Sequence, residues 1–311
     1  MYNNIFYKYK HWITWAVKLA IVLTAIYFIY NKLHSNKLLS LSQFKEQLSA
    51  LFSNNIWLIL LLLLFTDANW FLEIFKWKAL ASTEKKITFF DAYEQSLASL
   101  TTAIITPNRI GEYGAKALYF KKEKRKKILA LTFVGNISQL LTTTVFGIGG
   151  LTFLISNFNT PIFDYKESYV ITILLLVFMY FLLKKWIVKL ANYCKKIPSK
   201  TYLLTLVYSI LRYIVFSHQF YFLLLLFNVD IEYTVAMPLI FSMYFIASAI
   251  PSLSIFDWAI KGSVALWVFS FANINELTIV TITTIMWLLN FAVPALLGIL
   301  FVLNFKFSDS E

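Results

Sequence analysis

The sequence predicts an all-α polytopic integral membrane protein, and three observations lead to that fold class. Of its 311 residues, 59% are hydrophobic and only 14% are charged, against about 25% charged in soluble domains. Several runs reach the roughly 20 apolar residues that cross a hydrocarbon core. The lysines and arginines cluster in short segments between those runs, as they do in the cytoplasmic loops of membrane proteins.

The remaining composition excludes other classes. The net charge of +12 suits anionic lipid headgroups at a bilayer surface, and its distribution does not predict nucleic-acid binding. The single cysteine, Cys194, allows neither an intrachain disulfide nor a cysteine metal cluster. No small-residue cleavage site follows the first apolar run, so that run is predicted to be a retained helix.

The apolar runs predict six full spans within a single transmembrane domain, residues 1–311. No soluble-length segment or Pro/Gly/Ser-rich linker divides the chain. The predicted spans are residues 12–30, 56–75, 128–156, 169–190, 201–227 and 277–304.

The charges of the loops predict the orientation. Segments 76–86, 121–127 and 184–200 are rich in lysine and should be cytoplasmic. Loops 157–168 and 228–234 are mainly acidic and should lie outside. Both termini are predicted to be cytoplasmic.

This orientation leaves two apolar segments that must enter and return on the same side. Residues 88–120 lie between two cytoplasmic segments and should form a re-entrant hairpin that turns at Thr106-Pro107. Residues 235–271 should dip in from the opposite face and turn near 251–254. Irregular backbone at membrane depth requires protein or a water-filled cavity around it, so two opposed turns predict a polar cavity.

The order of elements predicts an inverted repeat, with residues 56–156 as the first half, 157–200 as the connection and 201–305 as the second half. Each half reads as a span, a hairpin and a span, which is an architecture of transporters. Each hairpin also carries a carboxylate four residues before a lysine, which places both on one helix face. The two pairs, each after a proline, are Glu112 and Lys116 after Pro107, and Asp257 and Lys261 after Pro251.

The first hairpin tip has the features of a phosphate site. Thr106 is predicted to cap a helix that starts at Pro107, and a helix N-terminus attracts anions. Arg109 can grip a phosphate with its planar fork, Gly111 leaves room for close approach, and Glu112 can balance Arg109 when the site is empty. The alternative is a membrane-interface loop whose charges face water.

The second tip, with Ser252, Ser254, Asp257 and Lys261, is less specific because it has no arginine. Asp67 and Arg212 lie inside predicted spans, where charges are costly and mark a pathway or pair with each other. His218 and Gln219 could relay protons, or the histidine could be a hydrogen-bonded packing residue. Residues expected to bond between helices are Asn136, Gln139 and Asn290.

At these residues the sequence resembles the lysylphosphatidylglycerol synthase transmembrane-region family of flippase-like membrane proteins. The segments that carry the resemblance are TPNRIGEYGAKALYF (106–120), similar to the family's T-P-G-R-x-G-E element, FKWKAL (75–80), IPSLSIFDWAIKGSVAL (250–266) and MWLLNFAVPALLG (286–298). Asn108 replaces the motif glycine, and VGNISQL stands where many members carry Glu-Arg. By position, the motif residues are Pro107, Arg109, Gly111 and Glu112, then Pro251, Asp257, Lys261 and Gly262.

The resemblance implies a protein of the bacterial inner membrane that moves lipid across the bilayer. The family's soluble aminoacyl-transferase domain has no counterpart in this sequence, so we expect no aminoacylation of lipid. No nucleotide-binding, metalloprotease or nucleophile-elbow motif is present, and no cofactor or metal is predicted. Whether the chain forms a homo-oligomer is left open.

The predicted function is translocation of an anionic phospholipid or isoprenyl-phosphate lipid between leaflets, so anionic lipid of the bilayer is the expected partner. One alternative is a membrane lipid-phosphate phosphatase or transferase, for which Thr106, Ser252 and Glu94 are the candidate reactive groups. The other is an accessory protein of envelope-lipid pathways that transports nothing itself.

Overall fold

A computed structural model describes residues 56–104, 106, 109–158, 194–195, 197–250 and 257–305, together with a few isolated helical positions before residue 50. This part of the chain is all-helical. The predicted spans 12–30 and 169–190 lie largely or wholly outside the described residues. The helices are α1 (Ile56–Ala81), α2 (Phe89–Ala103), α3 (Ile110–Leu118), α4 (Arg125–Asn157), α5 (Ser199–Leu226), α6 (Tyr233–Ala249), α7 (Asp257–Ser270), α8 (Glu276–Trp287) and α9 (Val293–Asn304).

Among the described residues, three long helical stretches are apolar enough to cross a membrane: Arg125–Asn157, Ser199–Leu226 and Glu276–Asn304. They coincide with three of the predicted spans. The four helices of the two hairpins are shorter, with 15 and 9 residues in α2 and α3 and 17 and 14 in α6 and α7. At 1.5 Å per residue none of the four reaches the roughly 30 Å of a hydrocarbon core.

Local sequence sets several helix ends. Thr88 and Asp91 form a reciprocal capping box that starts α2, and the Asn275 side chain accepts two amide hydrogens at the start of α8. The end of α1 differs from the prediction. The helix continues beyond residue 75 to Ala81, so Lys76 belongs to the helix and the interpretation of it as a loop lysine was wrong.

Charged and apolar contacts gather one set of helix ends at one end of the molecule. Lys124 donates to the backbone oxygen of Glu84 at 2.7 Å, and Lys127 forms an ion pair with the Glu84 carboxylate. Phe120 and Ile197 are buried in one cluster with Ile87. The three basic segments predicted to share a side therefore come together.

The opposite end collects the other connections. Val229 and Ile231, before α6, pack on the same hydrophobic cluster as Ala272 and Ile274, after α7. Phe158, just after α4, contacts Phe271 with ring centroids 5.9 Å apart. The described residues of the loops predicted to lie on one side thus meet at one end of the molecule.

The helices pack reciprocally between the two halves of the chain. The first helices of the halves, α1 and α5, pack on each other, α4 packs on α6, and α9 packs on α2. Glycines allow the two crossed contacts. A Cβ on Gly150 would lie 2.5 Å from the Pro238 oxygen in α6, and one on Gly298 would lie 2.2 Å from the Leu97 oxygen in α2.

A five-residue π-helical segment, Leu288–Ala292, joins α8 to α9. Pro294 follows it and has no amide hydrogen to donate to the carbonyl four residues back, that of Asn290. The amide of Val293 instead bonds the Leu288 oxygen, five residues back. A wide turn of this kind is frequent at functional sites, and here it carries Asn290.

Two neighbouring glycines of α4 test the close crossing with α6. Gly150→Ala should lower the free energy of unfolding by about 1–3 kcal/mol, because its Cβ would overlap α6 backbone. Gly149→Ala is the matched control, since no atom lies within 4 Å of its Cβ, and it should be neutral or raise stability by up to about 1 kcal/mol. Thermal unfolding of the purified proteins in detergent measures both. Equal effects of the two variants would contradict this packing.

Candidate functional site

The first hairpin tip is held by Thr106 and Gly111. The Thr106 hydroxyl donates to the Ala103 oxygen at 3.1 Å and accepts the Gly111 amide at 2.8 Å. A Cβ on Gly111 would lie 2.4 Å from the Thr102 oxygen, so this glycine allows α2 and α3 to approach. The glycine is therefore needed by the hairpin itself.

The predicted start of this helix was wrong by three residues. The helix begins at Ile110, and Arg109 is its N-cap residue with a left-handed backbone (φ 58°) and no side-chain cap bond. Thr106 still caps the helix N-terminus, because its hydroxyl oxygen accepts a hydrogen bond from the amide of Gly111, the second helical residue. Pro107 lies outside the described residues. A left-handed arginine is uncommon and stores backbone strain.

Arg109, Glu112 and Lys116 form a continuous chain of charges along α3. Arg109 Nη2 lies 3.1 Å from Glu112 Oε2, and Lys116 Nζ lies 2.8 Å from Glu112 Oε1. The glutamate and lysine side chains are only 4% and 3% exposed, whereas Arg109 is 46% exposed. The predicted contact between Glu112 and Lys116 is thus confirmed. Arg109 is the exposed group among these three charged residues.

Lys116 is also held by an aromatic ring. Its ammonium lies 4.4 Å from the centre of the Trp77 ring, a cation–π contact that is stronger in a site without water. The Trp77 indole donates to Gln95 Oε1 at 2.8 Å. Trp77 comes from α1 and Gln95 from α2, so three helices fix this lysine.

A second cluster lies between α1 and α5. Glu73 Oε2 is 2.7 Å from both Lys76 Nζ and Arg212 Nη1, and Arg212 Nε donates to Asn69 Oδ1 at 2.9 Å. The predicted pairing of Arg212 with Asp67 was wrong. Asp67 is exposed on another face of α1, while Glu73 and Asn69 share a face that α5 covers.

Amides extend this cluster across three helices. Asn69 donates to Asn290 at 2.7 Å, Asn290 donates to Gln219 at 2.9 Å, and Gln219 donates to Thr66 at 2.8 Å. The expected interhelical role of Asn290 is confirmed. Asn136 and Gln139 also bond between helices, to Tyr113 Oη and to the Ser209 oxygen.

The two clusters interact electrostatically. The charge of Lys116 acts on Glu73. The charges of Glu73 and of Asp257, at the second hairpin, act on Arg109. Together the clusters contain four cationic groups, Arg109, Lys116, Lys76 and Arg212, and two carboxylates. Two positive charges are therefore in excess.

The second tip is less enclosed. Asp257 and Lys261 form the predicted pair at 2.7 Å, but their side chains are 34% and 44% exposed. Pro251, Ser252 and Ser254 lie outside the described residues. A Cβ on Gly262 would lie 3.8 Å from the Thr283 hydroxyl, an ordinary contact distance, so no close approach requires this glycine.

His218 lies apart from both clusters. Its Nδ1 is 2.8 Å from the Ile214 oxygen and its Nε2 is 3.0 Å from the Tyr233 hydroxyl. Since a carbonyl only accepts, Nδ1 donates to the Ile214 oxygen, and Nε2 shares a hydrogen bond with the tyrosine hydroxyl. These bonds join α5 to the start of α6, as the packing interpretation expects.

Sequence reasoning missed the partners that complete these clusters. Glu73 lies in the predicted span 56–75 and was given no role, and Lys76 was assigned to a loop. The available signal was the presence of a carboxylate and a lysine three residues apart inside an apolar helical run. The other missed residues are Asn69, Trp77 and Gln95.

Fold and site together define a multi-pass α-helical membrane protein with a buried ionic centre and a charged hairpin tip. The sequence matches the family described as lysylphosphatidylglycerol synthase TM region over residues 15–298. The chain belongs to this family, as the resemblance of its motifs predicted. No curated protein matches it.

Two acidic residues of α1 provide a matched test of the central cluster. Glu73→Gln should lower the free energy of unfolding by on the order of 3 kcal/mol, because it leaves Lys76 and Arg212 buried without a counter-charge. Asp67→Asn makes the same charge change on the exposed face and should have little effect. Thermal unfolding in detergent distinguishes them. A larger loss for Asp67→Asn would favour the original pairing of Asp67 with Arg212.

Proposed function

We propose that this protein moves an anionic lipid between the two leaflets of a bacterial inner membrane. The observation that carries the proposal is the half-exposed guanidinium of Arg109, which is joined to a buried site with excess positive charge. A charged headgroup cannot cross hydrocarbon unaided. A polar site at a hairpin tip removes that penalty while the acyl tails stay in the bilayer.

The architecture we propose is an inverted repeat with two opposed re-entrant hairpins, in which both termini are cytoplasmic. The short hairpin helices, their return to one end of the molecule and the reciprocal packing of α4 on α6 and α9 on α2 support it. In such folds the substrate site lies at the interface of the halves near the midplane. The mid-helix positions of Arg212 and Asn290 agree with that placement.

In the proposed mechanism the phosphate of the headgroup replaces Glu112 at Arg109. A guanidinium can bind two phosphate oxygens at once. Glu112 keeps Lys116 as its partner, so no buried carboxylate loses its only counter-charge when the lipid binds. The second tip, with Asp257 and Lys261, lies close enough to share the headgroup electrostatically.

The geometry favours transport over lipid-phosphate chemistry. The Thr106 hydroxyl is engaged in two hydrogen bonds within the hairpin. Glu94 interacts with Tyr119, at the opposite end of α3 from the tip. Two of the three candidate reactive groups are thus either occupied or displaced from Arg109, and the third, Ser252, lies outside the described residues.

Topology provides one test. With Cys194 replaced, single cysteines at Thr88 and Lys121 should react with a membrane-impermeant reagent from the same side, the cytoplasm. A cysteine at Asp230 should react only from the other side. If Thr88 and Lys121 were labelled from opposite faces, the first hairpin would span the membrane and the proposed repeat would be wrong.

Arg109 provides a second test. Arg109→Lys keeps the charge and loses the planar fork, which should cost on the order of 1–3 kcal/mol and weaken lipid binding about five- to hundredfold. The same factor should appear in the movement of a fluorescent anionic lipid in proteoliposomes.

The control for this test is the exposed basic segment. Replacing Lys121, Lys122 and Lys124 by glutamine should give a small loss that disappears at high salt, because a diffuse exposed cluster is screened. If Arg109→Lys behaved like wild type, or the control were the more damaged variant at high salt, the tip would not be the headgroup site.

A further inference from the structure

We infer that the site takes a phosphate monoester carrying two negative charges, in preference to a phosphodiester that carries one. The inference rests on the proposed function and narrows its substrate class. It is drawn from the way that each buried carboxylate is shared between two cations.

Both clusters have the same composition. Glu112 is divided between Arg109 and Lys116, one carboxylate oxygen to each. Glu73 contacts Lys76 and Arg212 through a single oxygen, at 2.7 Å in both cases. Each cluster therefore holds two cations on one carboxylate and has one positive charge left over.

Burial limits how far water can screen this excess positive charge. The side chains of Lys116 and Lys76 are 3% and 2% exposed, and Arg212 is 18% exposed. Arg109, at 46%, is the main contact of the clusters with solvent. An anion that binds at Arg109 is placed where the field of both clusters reaches it, because low-dielectric surroundings leave such charges poorly screened.

The other charged groups near Arg109 do not change this balance. Arg109 feels Glu112 and Glu73, already counted, and Asp257 of α7. Asp257 is neutralised by Lys261 at 2.7 Å. Among the described residues the excess that a ligand meets is therefore two positive charges.

The chemistry of phosphate then selects the ligand. A monoester has a second pKa of about 6 and carries about −1.5 to −2 near neutral pH, whereas a diester carries −1. A monoester neutralises both excess charges, and a diester leaves one uncompensated in a poorly hydrated site.

The test compares two lipids with identical acyl chains, phosphatidic acid as the monoester and phosphatidylglycerol as the diester. Binding to the full-length protein in non-ionic detergent should be at least about tenfold tighter for phosphatidic acid near pH 7.5. The preference should disappear near pH 5, where the monoester takes up its second proton. Phosphatidylglycerol should show little change across this range.

A pair of variants tests the origin of the preference. Arg109→Gln removes one excess charge together with the guanidinium that binds the phosphate. It should weaken the binding of both lipids and abolish or reverse the preference for phosphatidic acid. Lys121→Gln removes one positive charge from the exposed loop and should leave the preference intact. A preference that survived Arg109→Gln, or was lost in Lys121→Gln, would overturn the charge-matching inference.

Movement assays separate this inference from the proposed function. If both lipids bind and cross proteoliposomes equally well, the monoester inference is wrong and lipid movement stands. If neither lipid moves, lipid movement is wrong. Inorganic phosphate is the third probe: if it competes with phosphatidic acid and enters sealed proteoliposomes while lipid does not move, the dianion inference holds with free phosphate as the ligand.

Discussion

The Glu73 carboxylate is the constraint on which the centre of this protein depends. One oxygen meets Lys76 of its own helix and Arg212 of α5, so it joins the two helices that begin the halves of the chain. Buried ions are tolerated when every partner is present and hydrogen-bonded. Asn69 accepts a hydrogen bond from Arg212, and its bond to Asn290, which in turn donates to Gln219, extends the centre to a third helix.

The wide turn at Asn290 connects this centre to the first hairpin. Pro294 removes one helical hydrogen bond, and α9 then runs across α2, where Gly298 permits contact with the Leu97 backbone and Thr101 donates to the Ala295 oxygen at 2.7 Å. The hairpin is thus packed on the same helix that supplies Asn290. A shift of α9 at the π-helical segment would move the hairpin relative to the ionic centre, which is the kind of coupling that alternating exposure requires.

The lengths and order of the helices could be predicted from sequence because apolar run length and loop charge are local properties. The errors have a common cause. Asp67 and Glu73 both lie in the same apolar run, and only the packing of α5 decides which one faces Arg212. Lys76 looked like a loop residue because its counter-charge lies within the helix. Thr106 was assigned to the wrong helical position because its hydroxyl reaches across the turn to Gly111.

The proposed function requires a site that holds its ligand firmly and still releases it, and the sharing of Glu112 between two cations suits both requirements. Arg109 pairs with Glu112 and is otherwise half exposed. An arriving anion therefore competes with one carboxylate and does not have to enter the packed core. When the anion leaves, Glu112 can pair with Arg109 again. Lys116, 2.8 Å from Glu112 and in contact with the Trp77 ring, keeps the carboxylate in position. The empty and loaded sites therefore differ in one ion pair at the surface of the cluster.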